Sequence, residues 1–313
     1  MKITLVGAGA IGQLWGCQLE PNHSVQFWTR RSEPFLDIDY TALEPACSRR
    51  IRIDANNPNA LSQADMVLIT VKAFQVEAAL DSILPHLSPT TPVIIMHNGM
   101  GTHSLVLRRL VEENRPQQPV LYATTSQASF RPGHSQEQSQ GDSPLQHTGR
   151  GQSWIGAVND AGKCHAELAA VLDNALAPCQ WHDDIFVPLW QKLAINCAIN
   201  PLTAMHQCRN GELAAPQFSG ALDSICQEVA AVMNAEGYPT SANTLRQQVE
   251  NVILATAANY SSMNRDIHHH RPTEIDYITG YLVRRAQAHQ LAVPTNLGLW
   301  QHIKRLEQHD HDQ

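Results

Sequence analysis

The fold is decided by Lys2 to Trp15, KITLVGAGAIGQLW. Ile3 to Val6 is a short β-branched run, Gly7-Ala8-Gly9-Ala10-Ile11-Gly12 follows at once, and Leu14, Trp15 and Leu19 recur at helical spacing. The order is strand, glycine turn, helix. In such a unit Gly7 permits the tight turn, Gly9 lets backbone approach a pyrophosphate, and Gly12 allows the helix to pack closely on the strand. The helix N-terminus then offers N–H groups and a positive dipole to the phosphates. Ala8, Ala10 and Ile11 complete the candidate cofactor-binding set. A glycine turn holding no ligand is the competing reading, and the flanking strand and helix favour dinucleotide binding over it.

Downstream, strands are expected at 24–28, 66–71, 93–97, 120–125 and 179–182, alternating with helical patterns. Ser24 to Trp28 ends in Thr29-Arg30-Arg31, near the place where an NAD enzyme carries an acid for the ribose 2′-hydroxyl, about 20 residues past the turn. Arg30 instead suits a 2′-phosphate, so NADPH is expected over NADH. Open parallel sheets bind ligands beyond the carboxyl ends of their strands, where Lys72 and Asn98 also fall. Taken singly, Arg30 reads equally as a solvated surface arginine, Lys72 as an exposed helix-starting lysine, and Asn98, before Gly99, as a turn residue. Their common location favours a site.

The 313 residues suit two domains, expected at 1–183 and 184–313. A net charge of −7 argues against general affinity for nucleic acid or an anionic membrane. Seven scattered cysteines without C-x-x-C read as buried, reduced thiols. No apolar run has membrane-spanning length, and Met1-Lys2 leads straight into a strand, so a cytoplasmic protein acting on a small molecule is expected. Residues 132–144, rich in Gln, Ser, Gly and His, read as a solvated loop.

From Val187 the chain reads as helical, with Leu222, Ile225, Val229, Val232 and Met233 on one face. Within LWQKLAINCAINPLTAM (189–205), Lys192, Asn196 and Asn200 are spaced by four, each step overshooting a turn by only about 40°, and share a face. Pro201 is expected to end or kink the helix at Asn200. The stripe reads as a solvated helix face or as a site; the asparagines, poor helix formers and good hydrogen-bonding groups, favour a site. Burial would lower the lysine's pKa and make it a usable proton donor. Glu274 lies in HRPTEIDYITGYLVRRA (270–286), where Thr273 is expected to cap one helix through Ile275, Ile278 and Leu282, with Asp276 in a capping box. Glu274 is a candidate partner for Lys192 or a carboxylate complementing the helix dipole. His268-His-His270 and the tail His309-Asp-His-Asp312 do not make a metal site, since adjacent helical histidines diverge, and no metal is expected.

KITLVGAGAIGQLW, TVKAFQV, HNGMGT, LWQKLAINCAINPLTA, NGEL, ATAANYSSMNRDI and TEIDYITGYLVRRA occur in that order over nearly the whole chain. The chain resembles the ketopantoate reductase (2-dehydropantoate 2-reductase) family. That resemblance implies an α/β fold: an N-terminal Rossmann dinucleotide-binding domain, an all-helical C-terminal domain, and a cleft between them. It implies NADPH-dependent reduction of 2-dehydropantoate to (R)-pantoate in pantothenate and coenzyme A biosynthesis, by a monomer or homodimer. Lys192 would be the general acid and Glu274 would help bind and position the substrate. Asn98, Asn196, Asn200 and Ser262 would hold the substrate, with Ser261 as the alternative to Ser262. Arg30, Lys72 and Gln75 would lie near the cofactor, as would Asn98. The resemblance is weakest over 134–144 and after Arg31. Other readings are a related Rossmann dehydrogenase of 2-oxo acids, hydroxyacids or glycerol phosphate, and a non-catalytic NADPH-binding sensor, the latter disfavoured by the presence of Lys192.

Overall fold

Ile3, Leu5 and Val6 are almost fully buried and lie at the centre of a sheet, because a parallel strand covered on both faces needs a near-continuous apolar run. The structure is a computed structural model and describes residues 1–131 and 144–309. The segment read as a solvated loop, save Pro144, and the tail beyond His309 lie outside the described residues.

The strands are β1 (Lys2–Val6), β2 (Ser24–Trp28), β3 (Phe35–Thr41), β4 (Arg49–Ala55), β5 (Met66–Ile69), β6 (Val93–Met96), β7 (Val120–Thr125), β8 (Ala128–Phe130), β9 (Leu145–Gly149), β10 (Ser153–Ala157) and β11 (Cys179–Trp181). They form one sheet in the order β11-β10-β7-β6-β5-β1-β2-β4-β3-β9-β8. Its centre, β4-β2-β1-β5-β6-β7, is parallel throughout. Numbered among themselves these six strands run 3-2-1-4-5-6, and the direction of winding reverses beside β1, where dinucleotide-binding sheets place their ligand. The antiparallel pairs β3·β4, β8·β9 and β7·β10 extend the sheet at either side.

The helices are α1 (Ala10–Leu19), α2 (Pro58–Ser62), α3 (Val76–Ile83), α4 (Thr102–Glu112), α5 (Leu168–Ala175), α6 (Phe186–His206), α7 (Ser219–Ala235), α8 (Ala242–Ala255), α9 (Ser262–His268), α10 (Thr279–Ala288) and α11 (Pro294–His309). The chain divides into two compact units, one of Met1–His97 with Thr102–Ile185, the other of Asn98–Gly101 with the helices from Phe186 onward. In the helical unit Leu222, Ile225, Val229, Val232 and Met233 are buried, as their spacing requires. Trp190, fully buried, packs its ring against Tyr238 and Tyr281 at centroid distances of 6.1 and 5.7 Å.

Four expectations need correction. Strands β3, β4, β8, β9 and β10 had no counterpart in the sequence reading, and β4 is the third parallel strand; its RRIRIDA alternates charged residues with buried Ile51, Ile53 and Ala55. Of the end or kink expected at Asn200, the end does not occur: helix α6 continues through Pro201 to His206. Proline in a helix costs about 3 kcal/mol, and burial of Leu202 and Ala204 in the following turn offsets that cost. The hydroxyl of Thr203 also donates to the carbonyls of Ile199 (2.8 Å) and Asn200 (3.1 Å). The single helix expected from Thr273 is instead a 3-10 turn, Ile275–Tyr277, broken at Ile278 before α10 begins. Of the seven free cysteines, Cys47 and Cys164 are exposed rather than buried. No helix among the described residues is long and apolar enough to cross a membrane.

Candidate active site

The period-four stripe of α6 carries Lys192 into a polar cluster within the helical unit. Its Nζ donates to Oδ1 of Asn98 at 3.0 Å, and Nδ2 of Asn98 donates to Oε2 of Glu274 at 3.0 Å. One amide thus joins the ammonium to a buried carboxylate. Lys192 is half-buried and its ammonium is desolvated, which brings its pKa down to about 8; the nearby charge of Glu274 opposes that shift without cancelling it. A lysine in that range gives up a proton near neutrality far more readily than a solvated one.

Each partner is held from behind. Asn98 begins the segment Asn98–Gly101, whose Met100 N–H donates to the carbonyl of Tyr277 at 2.8 Å. Gly99 has φ +82, and a Cβ there would stand 2.2 Å from that carbonyl oxygen. Gly99→Ala is therefore expected to destabilise the protein by at least about 1–3 kcal/mol and to displace Asn98, lowering activity as well. Chemical denaturation gives the stability, and an unchanged midpoint would contradict this packing. Glu274 follows Thr273, whose backbone N–H and hydroxyl both donate to Oε1 of Glu307, at 2.8 and 2.7 Å. The Thr273 hydroxyl accepts from the N–H of Ile275, as a cap should. Asp276 closes no capping box; its carboxylate accepts from Trp300 Nε1 (2.7 Å) and Lys304 Nζ (3.0 Å), tying the turn to α11.

Asn196 and Asn200 lie one and two turns beyond Lys192, Asn200 buried and Asn196 partly so. Ser261 is buried, caps α9 by accepting from Asn264 N–H (3.0 Å), and lies in hydrogen-bond contact with the Thr203 hydroxyl at 2.7 Å. Ser262, the first residue of α9, is exposed. The hydroxyl of Ser261 is thus engaged within the fold, and Ser262 is exposed.

The other unit carries the glycine turn. Gly7 has φ +102, and a Cβ on Gly12 would lie 2.2 Å from the Gly7 carbonyl oxygen, so the turn closes only with glycine at both places. Gly9 is different: a Cβ there would meet nothing within 4 Å. It is the N-cap of α1, no side chain caps that helix, and no acid occupies its first turn. Bare N–H groups, open space and an absent acid fit the phosphates of a dinucleotide. Ala8, Ala10 and Ile11 are partly buried against the core of the sheet. Arg30 is exposed past β2. Lys72 and Gln75 follow β5; the Gln75 side chain accepts from the Lys72 backbone N–H at 3.3 Å, shaping the turn there.

Sequence reasoning missed Asn56, which follows the unexpected strand β4. Its Oδ1 accepts from Thr29 N–H (2.8 Å), and its Nδ2 donates to the carbonyls of Arg31 (2.6 Å) and Glu33 (3.0 Å), fixing the loop that carries Arg30. Arg131 was missed too. Its guanidinium donates to the Ala8 carbonyl at 3.3 Å.

Fold and cluster define a class: a Rossmann-type sheet unit joined in one chain to a helical unit bearing a desolvated lysine. The family model described as ketopantoate reductase PanE/ApbA matches residues 3–160, and its C-terminal counterpart matches 184–307. The chain is 44% identical to the 2-dehydropantoate 2-reductase of Vibrio cholerae, over 98% of each chain. It is 42% identical to that of Escherichia coli O157:H7, over 98% of this chain and 95% of the relative. A PanE/ApbA family ketopantoate reductase from Ralstonia eutropha superposes with a TM-score of 0.83 at 26% identity, over 99% of this chain and all of the other. A D-mandelate dehydrogenase shares the fold, with a TM-score of 0.84 at 21% identity over 99% of this chain. The chain belongs to the ketopantoate reductase family.

Proposed function

We propose that this chain reduces 2-dehydropantoate to (R)-pantoate with NADPH, a step of pantothenate and coenzyme A biosynthesis, and that Lys192 supplies the proton. One observation carries the reading: the Lys192–Asn98–Glu274 cluster stands in a chain closely related throughout its length to 2-dehydropantoate 2-reductases.

When bound, the dihydronicotinamide supplies a hydride to C2 of the 2-oxo acid. Lys192 donates a proton from its ammonium to the carbonyl oxygen, so C=O becomes CH–OH and the lysine is left as a neutral amine to be reprotonated from solvent. While the oxygen gains negative charge the adjacent ammonium stabilises it. Asn98 holds Nζ in position, and Glu274 keeps the ammonium from losing its proton prematurely. Asn196, Asn200 and Ser262 supply neutral donors for the substrate's carboxylate and hydroxyl. Gly7 to Gly12 receive the pyrophosphate, and Lys72 and Gln75 lie toward the cofactor. Division at about residue 184 into a cofactor domain and a substrate domain fits this allocation.

The test is oxidation of NADPH followed with 2-dehydropantoate and with a panel of other 2-oxo acids. 2-Dehydropantoate is expected to have the highest kcat/KM; a higher value for another 2-oxo acid would replace the substrate named here. Arg30→Ala is expected to raise the KM for NADPH about tenfold, the loss of one charge-assisted hydrogen bond, and to leave that for NADH within about twofold. An unchanged ratio would remove Arg30 from the 2′-phosphate site.

A further inference from the structure

We infer that Arg131 is a second guanidinium for the 2′-phosphate of the cofactor and helps set its selectivity for NADPH; this rests on the dinucleotide reading above. Arg131 follows β8, more than a hundred residues from the glycine turn in sequence, yet its Nη1 lies 3.3 Å from the carbonyl oxygen of Ala8, in the middle of that turn. The same carbonyl accepts from Gln13 Nε2 at 3.1 Å.

Three observations point to an anion as its ligand. The Nε of Arg131 is buried and has no hydrogen-bond partner among the described residues. A buried N–H without an acceptor is costly in the absence of a ligand and is expected where a ligand supplies the acceptor. Next, no carboxylate among the described residues pairs with Arg131, while Arg31, in the loop past β2 that Asn56 holds in place, lies within electrostatic range of it. Two guanidiniums within electrostatic range repel, and an anion between them would relieve that repulsion. Burial and that repulsion together hold the Arg131 pKa below the usual arginine range.

Position selects which phosphate. The pyrophosphate belongs at the N-terminus of α1, and the ribose of the adenosine belongs between the turn and the end of β2. Arg131 reaches the Ala8 carbonyl and lies within electrostatic range of Arg31 past β2, which is the ribose side. A forked donor there matches phosphate oxygens, and the hydroxyl of NADH offers no charge to meet it.

Dissociation constants for NADPH and NADH, measured by fluorescence titration on the full chain without oxo acid, test this in wild type, Arg131→Met and Arg131→Lys. Arg131→Met is expected to weaken NADPH at least tenfold and NADH less than twofold, with Arg131→Lys intermediate and the melting temperature without nucleotide unchanged for Arg131→Lys. Equal weakening of both nucleotides would overturn the assignment in favour of a pyrophosphate or purely structural role, and unchanged NADPH affinity in both variants would overturn it outright. Because no oxo acid is present, a wrong substrate leaves the result intact, whereas a wild type without preference for NADPH would sink the cofactor reading itself.

Discussion

Lys192→Ala is expected to lower kcat for 2-dehydropantoate reduction by about 10²–10⁴-fold, the usual contribution of a positioned proton donor. Hydride transfer without it would leave an alkoxide with no adjacent cation, so kcat should fall more than KM rises. The pH profile provides a sharper test. Only the ammonium can donate, and the Lys192 pKa is about 8, so the wild-type reduction rate should be level below that pH and fall above it. Oxidation of pantoate needs the neutral amine and should rise through the same interval. Lys192→Arg, whose guanidinium stays charged throughout, should be slow and lack the alkaline fall. A Lys192→Ala enzyme within a few-fold of wild type would end the general-acid assignment.

Glu274→Gln should reduce kcat/KM about 100-fold, the equivalent of about 3 kcal/mol for a hydrogen bond to a charged group. The substitution keeps the shape and removes the charge. Because that charge raises the Lys192 pKa against the effect of burial, its removal should move the alkaline limb to lower pH. A variant that lost activity while the limb stayed in place would make Glu274 a substrate contact without electrostatic influence on the lysine. Asn98→Ala tests the same link from the middle: the ammonium and the carboxylate would lose the amide that spans them.

Much of this was readable from local pattern. The glycine turn, the apolar runs of β1, β5 and β6, and the period-four stripe of α6 follow from short-range rules, so the α/β class and the face bearing Lys192 were legible. Strand β4 was not, because its alternation is written in arginine and aspartate on one side, and charge-rich runs read as surface. Pro201 did not end its helix, because burial of the turn beyond it offsets the cost of the proline. The partnership of Asn98 with Lys192 and Glu274 spans 94 and 176 residues of chain, and no spacing rule reaches so far. Family likeness nominated all three residues; the hydrogen bonds that join them became visible only in the folded chain. Arg131 left no local sign at all: nothing in ASFRPG marks that arginine as the one to meet the glycine turn.

The short segment Asn98–Gly101 has a consequence for how this enzyme can be dissected or inherited. It is encoded between β6 and α4, amid the sheet, but groups with the helices. A fragment starting at Phe186 would carry Lys192 and Glu274 and lack the amide that joins them. The helical part is therefore not a transferable module. Grafting it onto a different nucleotide-binding domain, in the laboratory or by recombination of genes, would require the recipient to contribute an Asn-Gly pair at the tip of its fifth parallel strand, with the glycine left-handed and free of a side chain. Exchange of domains between such enzymes is constrained by two residues that lie far from the point of exchange.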